Sequence, residues 1–272
     1  MGGRIAQGIV CAVTAALLAV TLVAAGFAAC AAPATTRLLA DATASTAPSP
    51  YGEPALTELA CATRAYTVDA RSEESLADLS YAVIEQAGKA AAADSPTAER
   101  WSAQAREVAQ RAALRSVSPV LIAADLAACG DAYALDAGML AHLDDCNRLI
   151  GAAAPWLAGC ALGAAAGIAG LAAMGRRRLV GMALASAPAA VLGAFALLGL
   201  WGALDFGGLF GAFHALLFPQ GNWTFSMDSL LISMYPIGFW MGMAGVWLGT
   251  SALLAIISLI VGIFLIRKKK ES

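Results

Sequence analysis

The sequence is poor in charged residues and in histidine, and it lacks the motifs of common metal sites. Only 13% of its 272 residues are charged and 60% are hydrophobic, which excludes an ordinary soluble domain. Neither a CxxC nor an HExxH motif occurs, and this argues against a zinc finger or a zinc protease. Alternating strand patterns and hairpin dipeptides are also missing. We therefore expect an all-helical chain with no metal and no cofactor.

Charged residues are absent from four stretches, each long enough to cross a membrane. A helix needs roughly 20 apolar residues to span the hydrocarbon core. The fourth stretch has 38 residues, so we expect its first part to lie along the interface and its helix to begin near Pro236. The sequence predicts an all-α membrane protein with four transmembrane helices. The uncharged stretches are Ile5–Thr36, Leu149–Met174, Leu179–Leu204 and Ser229–Ile266.

Basic residues next to these stretches predict the orientation. Arg4 precedes the first span, residues 176–178 join the second and third, and residues 267–270 follow the fourth. With four spans, these clusters share one side, which the positive-inside rule makes cytoplasmic. The remaining segments carry nine basic and 18 acidic residues and face outward. Both termini are then cytoplasmic.

Helical patterns fill most of the outward part, which we predict to be a small helical extracytoplasmic domain. It begins with a flexible Ala-, Thr-, Ser- and Pro-rich linker over residues 33–56. One helix begins with Ser72 as its N-cap, and another has Ser95 as a cap and Pro96 at its first position. A third pattern, from about Val120 through Arg148, runs on towards the second span with a break at Gly130. The predicted transmembrane helices cover residues 1–32, 149–175, 179–204 and 236–266, and the other segments are the helical domain over 33–148, an interfacial loop over 205–235 and a basic tail over 267–272.

The N-terminal stretch has a second interpretation. The residues from Phe27 to Cys30 resemble a lipoprotein cleavage box. An uncleaved first span fits better, because the apolar run is longer than a usual signal sequence. Of the six cysteines, Cys61, Cys129 and Cys146 lie in the outward domain, so at most one disulfide forms there.

The two histidines are the candidates for chemistry. His142 and Asp145 are three positions apart, so in a helix both side chains share one face, and the carboxylate can orient the imidazole. An incidental acid beside a solvated histidine is the alternative. His214 lies among aromatic residues that usually anchor a chain at the interface, but an ionisable group near a bilayer by default suggests function. Topology places both histidines on the outward side, and we expect them within about one water-bridged reach of each other.

Two segments resemble the bacterial lipoprotein intramolecular transacylases. Residues 213–236 are similar to the C-terminal signature of that family, and residues 142–146 are similar to its His-Met-x-Asp-Val motif. Leu143 and Cys146 replace the Met and Val of that motif. The topology, with one span, an outward domain and three further spans, also resembles the family. The matching positions of the signature are Phe213, His214, Phe218, Trp223, Phe225, Asp228, Leu231, Ile232 and Pro236.

The resemblance implies an enzyme of the bacterial plasma membrane that moves an acyl chain within a lipoprotein. The acyl chain leaves the sn-2 ester of the diacylglyceryl group for the N-terminal Cys amine. His142 and His214 are then the catalytic acid and base, with His214 preferred as the base. The implied partners are diacylglyceryl lipoproteins and membrane lipid, without nucleic acid, and the oligomeric state stays open. The supporting residues are Asp145, Asn222, Trp223 and Asp228.

Two other interpretations use the same residues. Two histidines and two carboxylates are also a metal-ligand set, although no zinc motif accompanies them. A non-catalytic membrane protein, acting as an assembly or interaction partner, is the main alternative. A transporter is disfavoured because the spans contain no ionisable residue to couple to a solute.

Overall fold

A computed structural model describes residues 2–111 and 117–267, and strands are absent from that part of the chain. The all-helical prediction is thus confirmed. The predicted helix after Ser95 extends in part over residues 112–116, and most of the predicted basic tail covers 268–272; both segments lie outside the described residues. The described α-helices are α1 Gly2–Ala31, α2 Pro33–Thr43, α3 Glu53–Val68, α4 Ser75–Ala92, α5 Ala103–Gln110, α6 Pro119–Cys129, α7 Ala137–Ala173, α8 Arg177–Leu204, α9 Phe206–Leu217, α10 Leu230–Met234 and α11 Ile237–Arg267.

Four of these helices are long and apolar enough to cross a membrane, as predicted: Gly3–Ala31, Ala137–Ala173, Arg177–Leu204 and Ile237–Arg267. With its 37 residues, α7 is longer than the roughly 20 that a bilayer core requires. Its first turns continue the predicted helical pattern that carries His142. The expected break before it occurs at Gly130, whose φ of 150° ends α6.

The chain forms two compact units. The first contains Met1–Cys30, Ala152–Gly211 and Ala244–Ser272, and the second contains Ala31–Gly151 and Ala212–Met243. Within the first unit, small residues let helices pack closely. A Cβ added at Gly262 of α11 would lie 2.7 Å from the backbone nitrogen of Ala185 and 2.8 Å from the carbonyl oxygen of Gly181, both on α8. In a bilayer the lipid tails are as apolar as the side chains, so helices associate largely through van der Waals contacts, which close approach of their backbones improves.

In the second unit, buried side chains from α3, α4, α6, α7 and α10 form one hydrophobic core. Two buried tyrosines keep their hydroxyls satisfied inside it. The Tyr235 hydroxyl donates to the carbonyl of Ala60, and the Tyr51 hydroxyl donates to the carbonyl of Tyr133. A buried hydroxyl without a partner is unfavourable, so both tyrosines favour the packing that keeps these bonds. The bonds thereby hold distant parts of the chain to α3 and to the turn before α7.

The structure differs from the predicted linker over residues 33–56. Pro33 starts a regular helix there, consistent with the tolerance of a helix for proline in its first turn. Beyond that helix, Tyr51 is completely buried, and the Ser45 amide donates to the Ser233 carbonyl. A sequence with few large apolar residues is thus ordered by contacts with α10 that local composition does not reveal.

Two predicted helix starts are wrong by several residues. The fourth helix starts at Ser75, and Ser72 instead donates its amide to the Ser75 hydroxyl. Ser95 accepts a hydrogen bond from the Ala98 amide, but this opens only a 3₁₀ turn over Ala98–Arg100.

Trp101 interrupts the helix that was predicted to start at Ser95. Its backbone is extended, with φ −76° and ψ 120°, and its buried indole donates to the carbonyl of Pro50. Ser102 then caps α5 by accepting from the amide of Ala105. Burial of the large aromatic side chain therefore outweighs the local helix signal.

The predicted interfacial loop over residues 205–235 is largely helical in the structure. Asp205 accepts a hydrogen bond from the Gly208 amide and so caps α9, which carries His214. Ser229 caps the short α10 by accepting from the Ile232 amide. Only residues 218–229, between these helices, are irregular. His214 is therefore held by a helix and not by a loop.

Replacing Gly262 by Ala should destabilise the first unit by about 1–3 kcal/mol, because the added methyl group meets backbone atoms that have no room to move. The matched control is Gly249→Ala in the same helix, where an added Cβ has no neighbour within 4 Å. Thermal unfolding of both variants in detergent measures the difference. Equal midpoints for Gly262→Ala and Gly249→Ala would contradict the close packing.

Candidate active site

His142 lies in the first two turns of α7, and its position is set by the start of that helix. The Asp136 carboxylate accepts a hydrogen bond from the Met139 amide and so acts as the N-cap. Met139 and Leu143 on the same helix are buried in the core of the second unit. Cap and core together fix the rotation of the helix about its axis. The imidazole of His142 is consequently buried, with 8% of the residue exposed.

His214 lies in the last turn of α9 and is also buried, with 7% of the residue exposed. The centre of its ring is 6.1 Å from that of His142, and the two ring planes make an angle of 32°. The structure therefore brings together the only two histidines of the chain, which are 72 residues apart in the sequence. At this separation both rings could contact the same small reacting group.

Aromatic side chains enclose this pair. Phe218 contacts both imidazoles, with ring centres 4.8 Å from that of His142 and 5.8 Å from that of His214. Phe225 lies against His142 at 5.7 Å, and Trp223 lies against His214 at 5.1 Å. Trp223 is thus where the sequence placed it, at the histidine site. Walls of this kind exclude water and strengthen any electrostatic interaction inside the site.

Asp145 has a different role from the one that was predicted. Its carboxylate accepts hydrogen bonds from the side-chain amides of Gln220 at 2.8 Å and Asn222 at 2.7 Å, and also from Arg148. No hydrogen bond joins it to the ring of His142 among the described contacts. The helix geometry that places Asp145 on the His142 face instead directs it to the irregular segment 218–229. We call this set of bonds the Asp145 clasp.

The thiol of Cys146, one turn after His142, lies 3.7 Å from Nε2 of its imidazole. Among the described residues, Cys61, Cys129 and Cys146 form no disulfide with one another. Within residues 2–111 and 117–267, the other ring nitrogen of His142, Nδ1, is buried without a hydrogen-bond partner, and so is Oδ1 of Asn222. Unsatisfied buried polar atoms are rare in folded proteins and call for an explanation.

Asp228 is not among the groups that the structure gathers around the histidines. Its exposed carboxylate accepts a hydrogen bond from the Ser226 hydroxyl, which lowers the pKa of Asp228 below its usual value. It lines an open cavity of about 400 Å³ in which neither histidine takes part. The cavity is formed by Ser45, Pro48, Ser226, Met227, Asp228, Ile232 and Pro236.

Among the described residues, no three or more His, Cys, Asp or Glu side chains are grouped so as to hold a metal ion. The histidine pair has aromatic neighbours on several sides, and the nearest carboxylate is taken up by the clasp. The arrangement is suited to moving protons between a bound substrate and two imidazoles.

Comparison with known proteins gives one match. Residues 125–240 match the family model of the lipoprotein intramolecular transacylase Lit. This match supports membership in the Lit family. No curated protein and no solved structure matches the chain.

The matched residues contain the whole candidate site. His142, Asp145 and the segment that carries His214 all lie inside residues 125–240. The name of the matched family supports a lipoprotein transacylase activity in general, with a lipoprotein as the substrate. Together with the four apolar helices, it supports a membrane protein.

Sequence reasoning missed three features of this site. Asp136 carries a usable signal, since an acid just before a helical pattern is a typical N-cap. Gln220 precedes Gly221, whose φ of 79° marks a tight turn, but nothing in the sequence pairs Gln220 with Asp145. The contact of Cys146 with His142 follows from their spacing of four residues on one helix.

Removing the Asp145 carboxylate should loosen the segment 218–229, because Gln220 and Asn222 lose a charged acceptor. We expect amide hydrogen exchange in peptides that cover residues 219–229 to be about tenfold faster or more in Asp145→Ala. The matched control is Asp144→Ala, since Asp144 accepts from Tyr66 and Arg71 and not from this segment. The same exchange rate in this segment for both variants would count against the clasp.

Proposed function

We propose that this chain is an integral membrane acyltransferase that converts a diacylglyceryl lipoprotein to its lyso form. The acyl chain at the sn-2 position moves to the amine of the N-terminal Cys of the same molecule. The observation that carries the proposal is the buried pair of His142 and His214, 6.1 Å apart between ring centres, inside the residues that match the Lit family.

The reaction exchanges one bond for another without water. The amine nitrogen attacks the carbonyl carbon of the sn-2 ester and forms a C–N bond, which gives a tetrahedral oxyanion. The C–O bond to the glyceryl oxygen then breaks, and that oxygen takes up the proton that the amine has lost. Amine and ester belong to one substrate molecule, so much of the entropy cost of bringing them together is already met.

Two imidazoles supply the proton transfers of this exchange. A histidine has an ordinary pKa of about 6.5, so a neutral imidazole accepts a proton from the amine and an imidazolium returns one to the glyceryl oxygen. We assign the base to His214 and the donor to His142; the reversed assignment uses the same two rings. Donation to the oxyanion stabilises the charge that develops in the transition state.

Exclusion of water decides between transfer and hydrolysis. The ester would release a fatty acid if water reached the activated carbonyl. Phe218, Phe225 and Trp223 surround the imidazoles, and both histidines are more than nine-tenths buried. This environment supports acyl transfer to the amine over hydrolysis.

The proposal places the chain in a bacterial plasma membrane, with both termini in the cytoplasm and the site on the outer face. Arg4, the arginines 176–178 and the basic residues 267–270 support that orientation under the positive-inside rule. A diacylglyceryl lipoprotein is held in the same membrane by its acyl chains, so substrate and site meet at the interface.

Replacing His142 or His214 by Ala should lower the rate of transfer by about 10²–10⁴-fold, the usual contribution of general acid–base catalysis. The assay uses purified protein and a synthetic diacylglyceryl lipopeptide. Substrate and product have the same mass, because the acyl chain moves within one molecule. Fragmentation of the peptide therefore has to show the acyl group on the N-terminal amine.

The control for the histidine variants is Tyr81→Ala, which removes an exposed aromatic ring of the same unit. It should transfer the acyl chain at the wild-type rate. If both histidine variants stay within about threefold of the wild type, the two-histidine mechanism fails. If the wild type itself gives no N-acyl product, the non-catalytic role as an assembly or interaction partner is favoured.

A crossover experiment tests whether transfer is intramolecular. One lipopeptide carries a deuterated acyl chain at sn-2 only, and the second carries an isotope-labelled peptide. We expect the deuterated chain only on the amine of its own peptide, because the reacting groups belong to one molecule. Mass spectrometry of the N-terminal fragments measures this distribution. Deuterated chains on the labelled peptide would show transfer between molecules. With the deuterated lipopeptide alone, an unlabelled chain on its amine would exclude the sn-2 position as donor.

A further inference from the structure

Asn222 presents a buried acceptor whose orientation is determined by the Asp145 clasp. Its Nδ2 donates to Oδ2 of Asp145 at 2.7 Å. A carboxylate only accepts hydrogen bonds, so the amide nitrogen has to face Asp145 and the amide oxygen has to face away. That oxygen, Oδ1, is buried and has no hydrogen-bond partner among the described residues.

This unpaired oxygen lies in the segment whose aromatic side chains contact the two histidines. The residue after Asn222 is Trp223, which contacts His214, and Phe225 of the same segment contacts His142. Its tether, Asp145, lies on the same face of α7 as His142. Nδ1 of His142 is the second unpaired buried atom of this neighbourhood. Two such atoms suit a polar ligand, and Oδ1 of Asn222 can only accept a hydrogen bond from an N–H or O–H group of that ligand.

We propose that Oδ1 of Asn222 binds the α-amine of the substrate by accepting one of its N–H groups. This inference rests on the proposed function, which requires an amine at the site. A neutral primary amine has two N–H groups and one lone pair. If Asn222 accepts from one N–H and a histidine takes the proton of the other, the lone pair is left to attack the ester carbonyl. Asn222 therefore selects a primary amine and orients it.

The amine reaches this oxygen when the segment 218–229 shifts. Asn222 as a residue is half-buried, although its Oδ1 is covered. The segment has no regular structure, and its side chains are held to α7 by the clasp. Tightening of hydrogen bonds on substrate binding is usual in active sites.

The test measures binding with probes that do not react. The probe is a short lipopeptide with two ether-linked alkyl chains on the glyceryl group, so no ester is present, and its partner lacks only the α-amino group. The affinity of each probe for purified full-length protein is measured in detergent. The ratio of the two affinities, with and without the amino group, reports recognition of the amine. We expect the wild type to bind the amine probe about tenfold more tightly, the usual effect of one hydrogen bond to a polar ligand. In Asn222→Ala the ratio should fall to within about twofold.

Tyr81→Ala is the control, because it removes an exposed side chain that takes no part in the clasp and leaves the Asn222 oxygen in place. It should keep the wild-type ratio. Asn222→Ser replaces Asn222→Ala if the latter unfolds below the assay temperature. An equal ratio in wild type and the Asn222 variants overturns the inference, and so does a wild-type ratio below about twofold.

The failure of the inference is distinguishable from failure of the proposed function. In one outcome, the wild type forms the N-acyl product and Asn222→Ala keeps the full affinity ratio. That result disproves only the role of Asn222. In the opposite outcome, the wild type has a tenfold affinity ratio that Asn222→Ala abolishes, but the ester lipopeptide gives no N-acyl product. That result supports amine binding by Asn222 and rejects the transacylase activity.

Discussion

The candidate site depends on the hydrogen bonds that Asp145 accepts from Gln220 and Asn222. Asp145 is on the helix that carries His142, whereas the two amides belong to the segment that follows His214. These parts of the chain are 75 and 77 residues apart in the sequence. A carboxylate with two amide donors and a neighbouring arginine is a strong tether, since hydrogen bonds to charged groups exceed neutral ones. Without it, the aromatic walls would have only hydrophobic contacts to hold them.

Burial gives the histidine pair its chemical character. Imidazoles in water exchange protons with solvent. Inside an aromatic enclosure that excludes water, they exchange protons with the bound substrate instead. His142 and His214 come from helices with independent caps, Asp136 for α7 and Asp205 for α9. Each ring is thus positioned by its own helix, and the clasp adds the covering segment. The combination suits an acyl shift that must avoid hydrolysis.

The sequence was sufficient for features that depend on local pattern. Four uncharged stretches correspond to four apolar helices, because the length of a spanning helix is set by the bilayer and not by its neighbours. The break at Gly130 follows from glycine's freedom at positive φ. Prediction failed where a distant contact outweighed a local signal. Trp101 interrupts a helix because its indole is buried against Pro50, and residues 33–43 are helical although their composition suggested a linker.

The sequence by itself determined the four apolar helices that are long enough to span a membrane, and it indicated the two histidines as candidates for acid–base chemistry. Only the tertiary structure decided what surrounds those histidines. Asp145 shares a helix face with His142, but it bonds to Asn222, and Asp228 matches the family signature yet lies with Ser226 away from the rings. The physical reason is that a carboxylate takes the donors that folding brings within about 3 Å of it. Which donors those are depends on contacts between residues far apart in the chain.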